Sequence, residues 1–407
     1  MPIRMLDGNG AAVEAVRLVR PGVIAAYPIT PQSSIAEHLA DEVAAGRIRA
    51  EYVRVESEHS AMSVCLGAQL TGVRAVTATS SVGLALMHEV CGVTSGCRLP
   101  MVMHVVNRSL VAPWSLWCDH SDTMAERDTG WLQFYAGTVQ DVVDLYLAGV
   151  RISEHPDVLT PSMICQDGFF ISHSMQKVNV PEDDAAFRFV GDYRRLNMYL
   201  DPEDPMFVND LTPTEDYGEM RYQQMVGFRN AAKVAGEVFA EFEARFGRRL
   251  EAVRPYMLDD AEIAVVTMGS MSGTARYVVD ELRRRGVRAG ALQIVMYRPF
   301  PAGQVAQALR RVPVIGVIDR SAGLGGVYPP VCTEVTAALY GGRNDVRSFV
   351  GGLAGRDISN HSFERIFADL MAIHAGESDT HTQWFDLKAN PMDIRTVSGE
   401  EGAQCTK

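Results

Sequence analysis

The chain lacks the cysteine patterns that bind metal clusters. Its seven cysteines, at positions 65, 91, 97, 118, 165, 332 and 405, are irregularly spaced, and no two of them form a Cys-x-x-Cys pair. Iron–sulfur clusters and structural zinc sites are held by closely spaced sets of cysteines. We therefore expect free thiols in a reducing compartment and no cluster on this chain.

Targeting segments, membrane spans and excess positive charge are lacking too. Residues 1–10 include Arg4 and Asp7 and no apolar stretch, and no run approaches the roughly 20 apolar residues of a membrane helix. The net charge is 38 − 50 = −12, and lysine occurs only at positions 177, 233, 388 and 407. These features predict a cytoplasmic protein that binds neither nucleic acid nor a membrane as its main role.

Neither of the common phosphate-binding fingerprints is present. The sequence contains no G-x-G-x-x-G and no G-x-x-x-x-G-K-[ST], and Gly323-x-Gly325-Gly326 is more typical of a turn than of a phosphate site. The segment Asp119-His120-Ser121-Asp122 resembles a cluster of metal ligands. Adjacent loop residues rarely converge on one ion without a distant ligand, so we predict no metal site here.

What is present is an alternation of short apolar runs with helical patterns. This pattern predicts an α/β fold with two doubly wound parallel sheets. We assign residues 1–245 to a first domain, with an irregular excursion over 181–219, and residues 255–360 to a second. Residues 361–407 are predicted to form a C-terminal helix and tail.

The first apolar run ends in a turn that could form part of a site. Val23 to Ala26 are predicted to form a buried strand, and the helical pattern begins near Gln32. Between them, Thr30 suits the N-cap of the helix and Pro31 its first position. A capped helix that follows a parallel strand is where α/β sheets bind ligands, although such turns also occur where nothing binds.

Polar side chains follow four predicted strands of the first domain: Thr30, Glu58, the Ser80-Ser81 turn and Arg108. Parallel strands end at the same side of a sheet, here called the carboxyl edge, so we expect these groups to lie along one edge. A carboxylate, a guanidinium and a hydroxyl could hold an anionic substrate and move a proton there. A surface ion pair for Arg108 and a helix-end carboxylate for Glu58 remain open alternatives.

The same segments resemble a known family. The segments that carry the resemblance are Tyr27-Pro28-Ile29-Thr30-Pro31, Ser57-Glu58-His59-Ser60-Ala61, His104-Val105-Val106-Asn107-Arg108, Gly168-Phe169, Tyr297-Arg298-Pro299-Phe300-Pro301 and Gly352-Leu353-Ala354-Gly355-Arg356-Asp357. In order and spacing they are similar to the first two domains of the 2-oxoacid:ferredoxin oxidoreductases, over roughly residues 5 to 360. The resemblance implies the alpha subunit of a multi-subunit member, with a pyrimidine-binding domain and a transketolase C-terminal-like domain. Ala354 stands where the family more often has glycine.

The resemblance implies that thiamine diphosphate lies between this chain and a beta subunit. The family's diphosphate signature, Gly-Asp-Gly followed by paired asparagines, is absent here. The diphosphate and its Mg²⁺ are therefore expected on the partner side. By the same resemblance, Glu58 hydrogen-bonds the aminopyrimidine ring, with Glu56 as the alternative if the register is shifted, and Pro28 and Ile29 contact the cofactor. Arg108 pairs with the substrate carboxylate and Thr30 hydrogen-bonds the 2-oxoacid.

The implied reaction is oxidative decarboxylation of a 2-oxoacid with coenzyme A. Its electrons would leave through iron–sulfur clusters on partner subunits, to ferredoxin or to an NAD-linked flavoprotein; gamma and ferredoxin-like delta subunits are expected beside the beta subunit. Trp114 and Trp117 follow Arg108 closely. If they line the pocket, a larger acid such as phenylglyoxylate becomes a candidate beside pyruvate; if they face a partner, they say nothing about the substrate. A non-oxidative decarboxylase or transketolase-like subunit and a non-catalytic scaffold are the alternative functions.

Overall fold

The computed structural model describes residues 3–196 and 200–388. Within this part of the chain a two-stranded sheet pairs β1 (Ile3–Leu6) with β8 (Gln176–Asn179) in antiparallel fashion. A larger sheet has the spatial order β12 (Met296–Arg298), β6 (Leu132–Tyr135), β7 (Ser162–Asp167), β5 (Val102–Asn107), β4 (Ala75–Thr79), β2 (Val23–Ala26) and β3 (Glu51–Arg54). We call it the first sheet. All its neighbouring strands are parallel except β12, which pairs antiparallel with β6.

The helices of the first part of the chain are α1 (Gly8–Val19), α2 (Ser33–Ala44), α3 (Glu58–Leu70), α4 (Ser81–Gly96), α5 (Ser121–Ala125), α6 (Val139–Ser153), α7 (Asp183–Val190) and α8 (Thr214–Phe246). Helices α1, α6 and α8 bury their apolar sides in the core on one face of the first sheet. Helices α3 and α4 pack on the opposite face, in a core that continues into the second sheet. Both faces are thus covered, as parallel sheets require.

The second sheet has the spatial order β15 (Thr382–Trp384), β14 (Asp345–Val350), β13 (Val314–Asp319), β10 (Ile263–Met268), β11 (Ala289–Ile294) and β9 (Val253–Tyr256). Its strands are parallel except for β9 at one end. The accompanying helices are α9 (Met271–Arg284), α10 (Ala302–Leu309), α11 (Pro330–Ala338) and α12 (Asn360–His374), with a short 3-10 turn at Leu353–Gly355. The predicted α/β architecture with two doubly wound sheets is confirmed.

The structure differs from the prediction in several segments. The interval 181–219, expected to be irregular, contains α7 and the first residues of α8. Helix α7 buries Ala186, Phe189 and Val190, and these apolar positions explain why the segment is ordered as a helix despite its acidic composition. The tail predicted beyond residue 361 supplies β15 to the second sheet, and its last residues lie outside the described part. The division into 1–245 and 255–360 stays a prediction.

The six cysteines in the described residues are all buried, and Cys405 lies outside them. In the same residues, no group of three or more His, Cys, Asp or Glu side chains is arranged to hold a metal ion. No helix in this part of the chain is long and apolar enough to cross a membrane.

Candidate active site

The candidate site lies at the point where the order of the first sheet reverses. From β2 the chain crosses to β3 on one side and then returns to β4 on the other. The crevice outside the carboxyl ends of such neighbouring strands is the usual ligand site of an open α/β sheet. Thr30, Glu58, Ser80 and Arg108 follow β2, β3, β4 and β5, which are consecutive in space. The four residues therefore lie along one carboxyl edge of the sheet, as predicted.

The turn after β2 is built differently from the prediction. Helix α2 begins at Ser33 with Gln32 at the N-cap, so the capping role predicted for Thr30 is wrong. The physical reason is a pair of hydrogen bonds, one from the backbone N–H of Gln32 and one from the side-chain amide of Asn9. The Gln32 N–H donates to the carbonyl of Ile29 at 2.7 Å, which closes a turn before the helix. Asn9 of α1 donates to the Pro31 carbonyl at 2.8 Å and holds that turn in place. Thr30 keeps an exposed side chain.

Arg108 and Thr30 are in direct contact. The Arg108 guanidinium donates through Nη1 to the Thr30 carbonyl at 2.9 Å and through Nε to the Ser115 carbonyl at 3.0 Å. Its Nη2 has no hydrogen-bond partner among the described residues. Burial lowers the pKa of Arg108, and the nearby Asp122 carboxyl raises it. Because arginine stays protonated in proteins, the site keeps a fixed cation with one free donor.

Glu58 is a buried residue whose carboxylate has no partner among the described residues. It opens α3, is 6% exposed, and makes no hydrogen bond or ion pair within residues 3–196 and 200–388. Glycine at position 83 permits this arrangement, since a Cβ there would lie 2.6 Å from Glu58 Oε1 and 2.5 Å from Thr79 Oγ1. The buried hydroxyls of Thr79 and Ser80 also lack partners in the described residues. Unsatisfied buried groups are costly, so this cluster is expected to meet a ligand.

Glu56, the alternative carboxylate, has a different environment. Its side chain is exposed and accepts a hydrogen bond from Ser60 Oγ, which lowers its pKa. The register that assigns the buried position to Glu58 therefore agrees with the geometry. Pro28 is exposed and Ile29 half-buried beside the same turn.

Asp122 is the residue of this edge that sequence reasoning missed. Its Oδ2 accepts the N–H groups of Arg108 at 3.0 Å and Ser81 at 3.1 Å, and its Oδ1 accepts Asn107 Nδ2 at 2.8 Å. Burial raises the pKa of Asp122 to about 6, against these hydrogen bonds. Asp122 thus ties the ends of β4 and β5 together. The only sequence signal was a dense run of polar residues in the loop after Arg108.

The remaining polar residues of that loop connect the first sheet to the second. His120 Nε2 lies 2.8 Å from Asp167 Oδ1 at the end of β7, and Arg320 Nη1, at the end of β13, donates to Asp167 Oδ2 at 2.7 Å. Burial would raise the pKa of Asp167, but His120 and Arg320 outweigh it and hold that pKa well below its usual value. Asp119 accepts the Ala354 N–H at 3.2 Å. The segment that resembled a metal-ligand cluster is therefore a set of internal hydrogen bonds.

A doubly wound sheet with a buried carboxylate at its switch point defines an α/β ligand-binding unit. The family model described as pyruvate flavodoxin/ferredoxin oxidoreductase, thiamine diphosphate-binding, matches residues 14–240. The model for pyruvate:ferredoxin oxidoreductase core domain II matches residues 261–363. The chain is 40% identical over 392 residues to a pyruvate synthase subunit PorA of Pyrococcus abyssi, covering 95% of this chain and 99% of that one.

Two further proteins extend the comparison. The alpha subunit of an NADH-dependent phenylglyoxylate dehydrogenase of Aromatoleum evansii is 39% identical over 396 residues, covering 94% of this chain and 95% of the relative. A 2-oxoglutarate:ferredoxin oxidoreductase from Magnetococcus marinus, solved with 2-oxoglutarate, coenzyme A and succinyl-CoA, superposes with a TM-score of 0.68 at 17% identity. It is matched over 90% of this chain and 65% of its own, and supports the fold alone. The chain belongs to the 2-oxoacid:ferredoxin oxidoreductase family, as an alpha-type subunit.

Proposed function

We propose that this chain contributes the pyrimidine-side half of a thiamine diphosphate site that oxidatively decarboxylates a 2-oxoacid to an acyl-coenzyme A. The observation that carries the proposal is the buried Glu58 carboxylate, which has no partner among the described residues and faces Gly83 together with the unpartnered hydroxyl of Thr79. A carboxylate in such a place suits a hydrogen-bonded amine on a ligand. These residues therefore fit the aminopyrimidine end of the cofactor.

Each of the proposed site residues has one task. When bound, thiamine diphosphate supplies the electron sink for the carbanion that loss of carbon dioxide leaves behind. Glu58 would hydrogen-bond the aminopyrimidine ring and share a proton with it, in a site where burial strengthens that bond. Pro28 and Ile29 lie at the mouth of the same crevice and would contact the ring. Gly83 leaves the space that this arrangement needs.

Substrate binding is assigned to Arg108 and Thr30. The free Nη2 of Arg108 would pair with the carboxylate of the 2-oxoacid, while Nε and Nη1 stay on the Ser115 and Thr30 carbonyls and fix the plane of the guanidinium. The exposed Thr30 hydroxyl lies in the turn that Arg108 contacts and would donate to the keto oxygen. The net cost of moving a carboxylate from water to this site is lowered because the cation is already oriented.

The missing parts of the active site are assigned to partner subunits. A beta subunit would hold the diphosphate and Mg²⁺, gamma and ferredoxin-like delta subunits would complete the complex, and the iron–sulfur clusters would lie on these partner subunits. Two electrons leave the substrate for each acyl group, and coenzyme A takes that group while ferredoxin or an NAD-linked flavoprotein takes the electrons. A cytoplasmic complex of this kind stays a prediction. So does the substrate, for which pyruvate and a larger acid such as phenylglyoxylate are the candidates.

The proposal is tested on the complex purified with its partner subunits. We expect turnover of at least one 2-oxoacid that requires coenzyme A, thiamine diphosphate and an electron acceptor together. Carbon dioxide release without acyl-coenzyme A or reduced acceptor would favour a non-oxidative decarboxylase instead. In a parallel titration calorimetry experiment the isolated chain should bind thiamine diphosphate weakly. Tight binding by the chain alone would contradict the assignment of the diphosphate to a partner.

A further inference from the structure

We infer that the Leu353–Gly355 turn of the second sheet helps to determine substrate size at the proposed site, through its contact with Trp117. This inference rests on the proposed 2-oxoacid function. It gives the second sheet a role in specificity although the proposed site residues all lie on the first. Gly355 is the positioning residue and acts through the tryptophan.

The contact begins in the segment that follows Arg108. Residues 109–118, here called the tryptophan loop, leave the end of β5 and fold back on it. The Ser109 N–H donates to the Trp117 carbonyl at 3.0 Å, and the Ser115 carbonyl accepts from Arg108 Nε at 3.0 Å. The position of this loop and the position of the Arg108 guanidinium are therefore set by the same hydrogen bonds.

The far side of the tryptophan loop rests on the Leu353–Gly355 turn. The Gly355 N–H donates to the Cys118 carbonyl at 2.6 Å. A Cβ on Gly355 would lie only 2.4 Å from Trp117 Cβ and 3.1 Å from its Cγ. Any side chain larger than hydrogen at position 355 must displace Trp117, because real Cβ atoms do not approach other atoms this closely.

Trp117 also contacts the ring of Phe169. Its ring centroid lies 4.6 Å from that of Phe169, with the planes tilted by 53°. Phe169 follows Gly168, where a Cβ would lie 2.9 Å from Pro31 Cγ, so the backbone next to this aromatic pair passes close to the turn that carries Thr30. Yet Trp117 remains 53% exposed. A tryptophan fixed on two sides and open on the rest is suited to be a wall for a substrate side chain.

The direction of the effect follows from this order of contacts. A methyl group at position 355 would displace Trp117, whose ring also contacts Phe169, and we expect this displacement to narrow the space for a large acid. Replacing Trp117 by alanine would widen that space. A pocket discriminates a methylene group by about 10-fold to 200-fold, so changes of about tenfold in preference between small and large acids are expected.

The test uses the purified complex and a series of 2-oxoacids from pyruvate to phenylglyoxylate. KM and kcat are measured for acids that turn over, and competitive inhibition constants for those that do not. Gly355→Ala should weaken the binding of the largest acid about tenfold relative to the binding of pyruvate. The change should fall in KM or the inhibition constant and not in kcat for pyruvate. Trp117→Ala should shift the preference the opposite way, and Trp117→Phe should lie close to the wild type.

Gly376→Ala is the matched control. Gly376 follows α12 and has a φ of 77°, against 74° for Gly355, but a Cβ there would meet nothing within 4 Å. It reproduces the backbone cost of the substitution without the contact, and it should leave the preference unchanged. If Gly355→Ala fails to assemble, the two Trp117 variants still decide the question.

Two results would overturn the inference. One is an unchanged preference in Trp117→Ala, which would mean that the tryptophan faces a partner subunit. The other is an equal loss for every acid in Gly355→Ala, as expected from general destabilisation. A wild-type complex that turns over none of the acids is a separate outcome, because it would contradict the proposed function itself.

Discussion

The carboxyl edges of the two parallel sheets have opposite character. At the edge of the first sheet, the Glu58 carboxylate and the Thr79 and Ser80 hydroxyls are buried and have no partner in the described residues. At the edge of the second sheet, the Asp319 carboxylate accepts the N–H groups of Val331 and Cys332 at 2.9 and 3.1 Å. The next residue of that edge, Arg320, is paired with Asp167.

This difference indicates which of the two edges is expected to bind a ligand. Both edges belong to the same kind of sheet, and the fold alone would allow a site at either. A buried polar group without a partner costs stability, and it persists where a ligand or a partner chain supplies the missing bond. The first edge is therefore the one we propose as the site. At the second edge the Asp319 carboxylate is already hydrogen-bonded, although Nη2 of Arg320 is buried without a partner among the described residues.

The largest effect is expected at the unpartnered carboxylate. Glu58→Gln keeps the size of the side chain but removes its charge, so the activity of the complex should fall by about 10²-fold to 10⁴-fold, the range for a positioned proton-transfer group. The denaturation midpoint of the chain should hardly change, because Glu58 has no bond within the described residues to lose. Steady-state turnover and chemical denaturation measure the two quantities.

Glu56→Gln is the control for that substitution. Glu56 precedes Glu58 by two positions, is exposed and bonds only Ser60. The control should retain nearly full activity. Unchanged turnover in Glu58→Gln, or a loss shared equally by both variants, would remove the functional distinction between the two edges.

The second effect concerns stability at the second edge. Arg320→Met removes one of the two cationic partners of the buried Asp167 carboxylate, since both side chains are 1% exposed and lie 2.7 Å apart. Breaking a buried ion pair costs about 3–5 kcal/mol. The denaturation midpoint should therefore fall sharply, while Arg310→Met, at an exposed position after α10, should have little effect. A small loss in Arg320→Met would show that His120 and Ser270 suffice for Asp167.

Sequence reasoning located the first edge because each strand there ends in a chemically distinctive residue. The strand Val23–Ala26 was predicted with its observed bounds, since buried parallel strands are continuous apolar runs. Glu58 and Arg108 followed from their positions after such strands.

The features that could not be predicted from the sequence depend on contacts between segments that lie far apart along the chain. Strand β12 consists of three residues from the second half of the chain and pairs with β6. No local sequence pattern predicts such a pairing. The cap predicted at Thr30 failed because Asn9, 21 positions away, supports a different turn. The approach of Gly83 to Glu58 and of Gly355 to Trp117 likewise arises only when the sheets are assembled.

A third effect sharpens the contrast through pH. Burial raises the pKa of Asp319 from 3.8 to about 7, although two N–H groups oppose this shift. Between about pH 4 and pH 7 the folded state therefore holds a proton that the unfolded state has released, so this group's contribution to stability falls as the pH rises. Asp167 acts in the opposite sense, because its pKa is lowered and its contribution is lost as the pH falls.

Asp319→Asn should remove this dependence. Denaturation midpoints measured from pH 4.5 to pH 8 should decline less steeply in the variant than in the wild type. The difference is on the order of a few kcal/mol at most, given about 1.4 kcal/mol for each pKa unit. Asp259→Asn, at an exposed loop position, should keep the wild-type slope. An unchanged slope in Asp319→Asn would mean that the carboxyl is ionised in the folded protein.

The smallest effect concerns the backbone of the turn that joins the two edges. Ala354, where the sequence comparison led us to expect glycine, has φ 47° and ψ 46° in the left-handed region. That conformation costs an alanine about 1–2 kcal/mol, whereas glycine gives up about 0.5–1 kcal/mol in backbone entropy. Ala354→Gly should therefore stabilise the chain by up to about 1 kcal/mol. Ala337→Gly, at an exposed position of α11, should destabilise the chain by a similar amount. If both variants lose stability, the backbone of Ala354 is not strained enough for glycine to be favourable there.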